Sequence, residues 1–206
     1  MTLRTPLLAS LLLLASFSCA GAQETKTDEA AADPQWIEFA APDRGFSASF
    51  PVKPTETSTP VEGQNPLLQH QYQAAVGEDT VYTVVVFEYP EGKAPNPPDQ
   101  EYFSNVVTAY AKGSESRVRK KGTAEIAGRP GYEATAEDAK RKISHRLSLV
   151  PAGDRIFMLV SAGPRNHAAG EDAENFRDSF RLLGADGKPQ AEESSKPAND
   201  NEDAGE

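Results

Sequence analysis

The chain has 206 residues, 38% of them hydrophobic, and a formal net charge of −10. That length suits one domain of ordinary size with tails. Its single cysteine, Cys19, lies near the start, so a mature chain cut beyond it holds no disulfide framework, thiol nucleophile or cysteine metal cluster.

Residues 1–22 read as an export signal: Arg4 precedes an apolar run over residues 7–17, and a small-residue segment ends in Ala20-Gly21-Ala22. An apolar run of roughly 11 residues is too short to cross a bilayer core of about 30 Å as a helix. Two processings are open, cleavage after Ala22 and acylation of Cys19. Ser18-Cys19-Ala20-Gly21 fits a lipoprotein box loosely, with Ser16 where an aliphatic residue is usual. Either way the expected compartment is periplasmic or extracellular, with membrane anchorage only through a lipidated Cys19. ATP, NAD pools and nucleic acids are scarce there, which removes nucleic acid from the expected partners.

Residues 23–34 are acidic and alanine-rich, and residues 185–206 are rich in Asp, Glu, Ser, Pro and Asn. Neither segment can bury enough apolar surface to offset an ordering cost of about 1 to 2 kcal/mol per backbone residue, so both are expected to be disordered. The C-terminal tail carries about half of the net charge. It reads as a solubilising extension, with an electrostatic tether as the functional alternative. The folded domain is expected over residues 35–184.

Within that domain the spacing predicts mostly strands. Trp36-Ile37-Glu38-Phe39 alternates, a turn is expected at Pro42-Asp43-Arg44-Gly45, and Phe46, Ala48 and Phe50 share one face until Pro51. Leu68, His70 and Tyr72 form one face of the next strand, with Gln69, Gln71 and Gln73 opposite. Residues 80–89 are nearly all β-branched or aromatic, as in a central strand covered on both sides. A helix is predicted next, capped by Asn96, with Phe103, Val106, Val107 and Tyr110 as its apolar stripe and Gly113 as its stop. Strands follow at residues 123–127 and 132–136, around a turn Gly128-Arg129-Pro130-Gly131. Two more, at 143–150 and 156–162, flank the hairpin turn Pro151-Ala152-Gly153-Asp154. A second helix is predicted over residues 169–180 on Ala173, Phe176 and Phe180, with Arg177 and Asp178 outward and Leu182-Leu183 packing back. This order implies an antiparallel α+β sandwich, because parallel βαβ units need a helix after nearly every strand.

Trp36-x-x-Phe39, Gly45-Phe46-x-x-x-Phe50-Pro51-x-x-Pro54, Tyr82-x-Val84, Gly128-x-Pro130-Gly131 and Phe176-x-x-Ser179-Phe180 together resemble the PsbP and Mog1 type of domain, and more narrowly its bacterial exported members. The resemblance covers residues 36–183 and rests on fold markers. It implies a central antiparallel sheet sandwiched by helices, and members that act by binding proteins. Photosystem members support an oxygen-evolving complex, and nuclear-transport members bind a small GTPase. No residue set for either task is matched here.

Candidate chemistry is sparse. His70 and His145 sit on the apolar parity of their strands, and if those strands were neighbours the two imidazoles would supply half a zinc or copper site, with Asp138 or Glu137 as a third ligand. No short histidine spacing supports that reading, and a hydrogen-bonded core role competes with it. His167, beside Asn166 and Gly170, suits capping or exposure. No G-x-S-x-G elbow occurs, and Glu88, Glu133 and Asp138 would have to converge in space to act as paired carboxylates. The basic residues are more suggestive. Arg117, Arg119, Lys120 and Lys121 follow the first helix, and Lys140, Arg141 and Lys142, with Arg146, are placed on a later strand. Brought together they would form a patch for an anionic partner, and apart they would protect sheet edges. The acidic tail is a third possible occupant of that patch. The proline-rich loop at residues 91–98 is either a presenting surface or a crossover.

The expected function is that of a monomeric, cofactor-free, non-catalytic accessory protein of the envelope that docks a protein partner or an anionic surface. The alternative is a small-ligand or metal-binding module on the face of His70 and His145.

Overall fold

The computed structural model describes residues 35–61, 67–95 and 98–190. Its elements in chain order are β1 (Ile37–Ala41), β2 (Phe46–Phe50), β3 (Thr55–Val61), β4 (Leu67–Val76), β5 (Thr80–Glu88), α1 (Gln100–Gly113), β6 (Arg117–Ile126), β7 (Arg129–Asp138), β8 (Ile143–Ala152), β9 (Arg155–Pro164), α2 (Glu171–Ser179) and β10 (Arg181–Leu182). Single 3-10 turns, Pro42–Arg44 and His167–Ala169, precede β2 and α2. The expected signal, Cys19, the linker and residues 191–206 lie outside the described residues.

Seven strands form one sheet in the order β3-β4-β5-β9-β8-β7-β6, with every pair antiparallel. Two hairpin meanders, β3-β4-β5 and β6-β7-β8-β9, are joined by the pairing of β5 with β9. The connection containing α1 carries the chain from the interior strand β5 to the far edge strand β6. Such a jump needs a crossover rather than a tight turn, which is why a helix stands at this one place in a run of strands.

Val84 pairs with Leu159, and Val86 pairs with Phe157 on β9. These residues face one core, with Phe46, Phe50, Tyr72, Phe176 and Phe180. Val85, Phe87, Met158 and Val160 face the other core, against Phe103, Val106 and Val107 of α1. The two-sided hydrophobicity of residues 80–89 is thus explained by a layer on each side. One layer is α1. The other contains α2 together with a small sheet, β1-β2-β10, that the strand spacing did not separate from the central one. Phe46 at its centre is fully buried, 5.0 Å from the Tyr72 ring and stacked 6.0 Å from Phe180. Burying a side chain of that size contributes on the order of 1.5–3 kcal/mol, so these phenylalanines clamp the small sheet onto the large one.

Several local expectations shift. Asp99 caps α1, where its Oδ1 accepts from the Tyr102 N–H at 2.7 Å, and Asn96, the expected cap, lies outside the described residues. The helix ends in a Schellman motif at Ser114-Glu115-Ser116, where the Ser116 N–H donates to the Ala111 carbonyl at 2.8 Å and Glu115 takes φ 54°. The β6–β7 turn is Ala127-Gly128, so Arg129, Pro130 and Gly131 belong to β7. β3 was not anticipated, because its residues Thr55–Val61 are nearly all exposed and carry no apolar alternation. The domain continues past residue 184. Leu183 bridges to Pro189, and the Gln190 N–H donates to the Leu182 carbonyl at 2.8 Å.

Candidate functional site

The two basic runs occupy neighbouring parts of the β6 end of the sheet. β6 pairs only with β7, so its other edge is uncovered by any described strand. A bulge falls between Val118 and Lys120, opposite Ala136 and Thr135 of β7. Such bulges twist an edge and re-aim its side chains. Arg117, Arg119, Lys120 and Lys121 are all exposed. Arg119 pairs with Glu137, Nη2 to Oε2 at 2.8 Å. The Lys121 ammonium donates to Ser104 Oγ on α1 at 2.7 Å. Arg117 and Lys120 form no ion pair among the described residues.

Lys140, Arg141 and Lys142 do not lie on a strand, as expected from sequence, but in the turn between β7 and β8. Asp138 builds this turn. Its buried carboxylate accepts from the N–H groups of Lys140 (2.8 Å) and Arg141 (3.1 Å) and from the Arg141 guanidinium. The Arg141 side-chain bond is the largest of the contacts that hold the Asp138 carboxyl below the usual carboxylate range. Arg141 Nη2 also donates to the Ser114 carbonyl at 2.9 Å, which ties the turn to the end of α1 just before β6 begins. Lys140 stands 3.9 Å from Glu115. Arg141 is therefore a structural residue of the patch, whereas Lys142 is exposed at φ 58°. Arg146 leaves the patch altogether: it pairs with Glu133 of the neighbouring strand β7, Nε to Oε1 at 2.9 Å, on the face that carries α2.

The histidine site expected as the alternative does not assemble. β4 and β8 are separated by β5 and β9. His70 pairs in register with Val86 and belongs to the face of Tyr72, while His145 pairs with Ala136 and Ala162 on the α1 face. Two strands and the thickness of the sheet divide them. His70, 4% exposed, has Nδ1 2.7 Å from Ser58 Oγ and Nε2 3.3 Å from Glu88 Oε2. His145, 5% exposed, meets the Tyr110 hydroxyl at 2.9 Å and the Ser116 hydroxyl at 3.1 Å. Burial first, then the Arg141 charge, pushes its pKa down to about 4. Asp138, one of its proposed co-ligands, already has its acceptors filled by the turn, and Glu137, the other, by Arg119. Among the described residues no group of three or more His, Cys, Asp or Glu side chains is placed to hold a metal.

Nor do the three carboxylates converge. Glu88 is gripped by Arg155 (2.9 Å) and Arg44 (3.5 Å), and although half-buried, which alone would raise it, it is held below the usual carboxylate range by these arginines. Glu133 serves Arg146 and, at 3.5 Å, Arg177 of α2, so Arg177 is a half-buried bridge rather than an outward residue. Asp138 lies on the opposite face. His167 is neither a side-chain cap nor freely exposed: its ring covers Gly163 and stands 5.5 Å from Tyr82.

A cleft of about 340 Å³ opens at the hairpin end of β6 and β7, lined by Pro95, Pro98, Phe103, Arg129, Tyr132 and Pro151 among others. Phe103 stacks on Tyr132 at 5.7 Å across its floor. A Cβ on Gly131 would lie 2.5 Å from the Leu149 carbonyl oxygen and 2.8 Å from Ile126 Cδ1, so only glycine permits this approach of β7 to β8 and to Ile126 of β6. The signal available was the scatter of prolines at 95, 98, 130 and 151, which gains meaning only when the strands are in register.

No protein-family model matches the chain, and no curated protein matches its sequence. Among solved structures the chain is similar to the solution structure of cyanobacterial PsbP (CyanoP) from Synechocystis sp. PCC 6803. The TM-score is 0.50 over 77% of this chain and 98% of that one, at 8% identity. A likeness at that identity is one of fold, and it agrees with the fold markers Trp36, Phe46, Phe50, Phe176 and Phe180, which all meet in one core. The chain has a PsbP-like α+β fold.

Proposed function

We propose that the chain is an exported, non-catalytic binding protein of the cell envelope that docks an acidic protein surface along β6 and the adjoining β7–β8 turn. The export signal read from residues 1–22 supplies the compartment. The observation that carries the reading is the exposed sheet edge bearing Arg117 and Lys120 without ion-pair partners among the described residues, flanked by Lys121 and Lys142. An edge strand offers backbone groups to an incoming chain, and cations beside it select an acidic one. Charges of this kind act chiefly on encounter rate and on partner choice.

The test is site-specific photo-cross-linking from position 123 of β6 in cells making the full chain. A recurrent envelope partner is expected from the native sequence and from the control Lys53→Glu. It is lost in Arg117→Glu/Lys120→Glu. Capture that survives the double reversal would remove β6 as the docking edge.

A further inference from the structure

We infer that the acidic segment 191–206 of this same chain docks along the β6 edge and that a partner must displace it. Three observations meet here. The described chain ends at Gln190, whose Oε1 accepts from Arg129 Nη2 at 2.8 Å. Arg129 pairs with Ile126 at the hairpin end of β6. The tail therefore leaves the domain beside one end of the basic edge, and the cations lie between there and the other end.

Length and charge both fit. β6 has 10 residues, about 30 Å at 3.3 Å per residue. The 16 residues beyond Gln190 span up to roughly 53 Å when extended. They contain Glu192, Glu193, Asp200, Glu202, Asp203 and Glu206 against the single cation Lys196. Glu192 and Glu193 fall within reach of Arg129. Asp200, Glu202 and Asp203, ten to thirteen residues on, can reach Lys120 and Arg117. Running from the Ile126 end towards Arg117, the tail lies antiparallel to β6, the orientation that a chain arriving from that hairpin takes. Tethering makes the contact intramolecular, with an effective concentration on the order of millimolar. Individually weak, solvent-exposed pairs then suffice. The inference rests on the reading of β6 as a docking edge for its regulatory meaning, but the tail contact itself stands without any partner.

Two measurements on the purified full chain test it. Zero-length carbodiimide cross-linking is expected to join Lys120 or Lys121 to Asp200, Glu202 or Asp203 within monomers. The yield falls as salt is raised and the Debye length shrinks from about 30 Å at 0.01 M to about 3 Å at 1 M. Separately, a labelled peptide of residues 191–206 is added in trans to the native chain and to a chain whose six tail acids are changed to Asn or Gln. The neutral-tail chain is expected to bind it about tenfold more tightly, as millimolar self-competition implies for an affinity near 0.1 mM. Arg117→Glu/Lys120→Glu abolishes binding to both. Equal affinity for the two chains, cross-links found only between copies, or binding indifferent to the double reversal overturns the inference. Intramolecular cross-links without any cellular partner would instead keep the tail contact and discard the docking reading.

Discussion

Tyr110 of α1 and His145 of β8 hold each other across the helix–sheet boundary, hydroxyl to Nδ1 at 2.9 Å, while Ser116 engages the second ring nitrogen. Both nitrogens are occupied, so the neutral imidazole donates through one and accepts through the other. That arrangement makes the helix dependent on a histidine staying uncharged.

The pH dependence follows from the sign of the shift. His145 falls to about 4 from an unfolded value near 6.5, so the unfolded chain binds the extra proton between those limits. Its contribution is fully present above pH 6.5 and is lost as pH falls towards 4, by about 3 kcal/mol in total. His167, also lowered by burial, acts in the same direction. Urea midpoints measured from pH 7 to pH 4 should decline in the native chain and decline less in His145→Gln. Equal slopes would show that the ring is not buried neutral.

Glu115 occupies the left-handed position of the α1 Schellman motif, where a Cβ is unfavourable. Its only described ion pair, to Lys140 at 3.9 Å, joins two exposed side chains and contributes little. Glu115→Gly is expected to raise stability by roughly 1 kcal/mol, visible as a higher thermal midpoint. A lower midpoint would mean that the Lys140 contact outweighs the backbone strain.

Gly131 lets β7 approach the Leu149 carbonyl and Ile126 more closely than any side chain allows. Gly131→Ala should cost about 1–3 kcal/mol by overpacking and should disturb the Phe103–Tyr132 stack. Denaturation gives the first effect, and near-ultraviolet circular dichroism gives the second.

Asp138 closes the β7–β8 turn with two backbone N–H donors and one guanidinium. Asp138→Ala is expected to lose about 1 kcal/mol, because the two turn N–H groups and the Arg141 guanidinium lose their shared acceptor. Asp138→Asn retains an acceptor for the N–H groups and should lose less. Amide exchange at Lys140 and Arg141 would report the loosened turn directly, and unchanged exchange in the alanine variant would contradict this role.

How much of this was legible in the sequence varied by element. The alternation of Phe46, Ala48 and Phe50, the two-sided strand at residues 80–89 and the stripe Phe103–Val106–Val107–Tyr110 are local periodicities, and each matches the observed face. β3 carried no such signal because both of its faces are exposed. The α1 cap was misplaced because Asn96 and Asp99 are both good caps, and which side chain reaches an N–H depends on where the turn closes. The basic patch was readable as residue types, but its division into edge cations, the turn brace Arg141 and the Glu133 partner Arg146 was not.

By itself the sequence determined the alternation of strands and helices, the α+β class and the fold markers, because each rests on composition or on spacing between residues near in the chain. Only the tertiary structure decided that β6 is a sheet edge, that His70 and His145 lie on opposite faces two strands apart, and that Gln190 lies beside Arg129. Those facts follow from strand order, and antiparallel pairing between distant segments leaves almost no trace in the residues on either side.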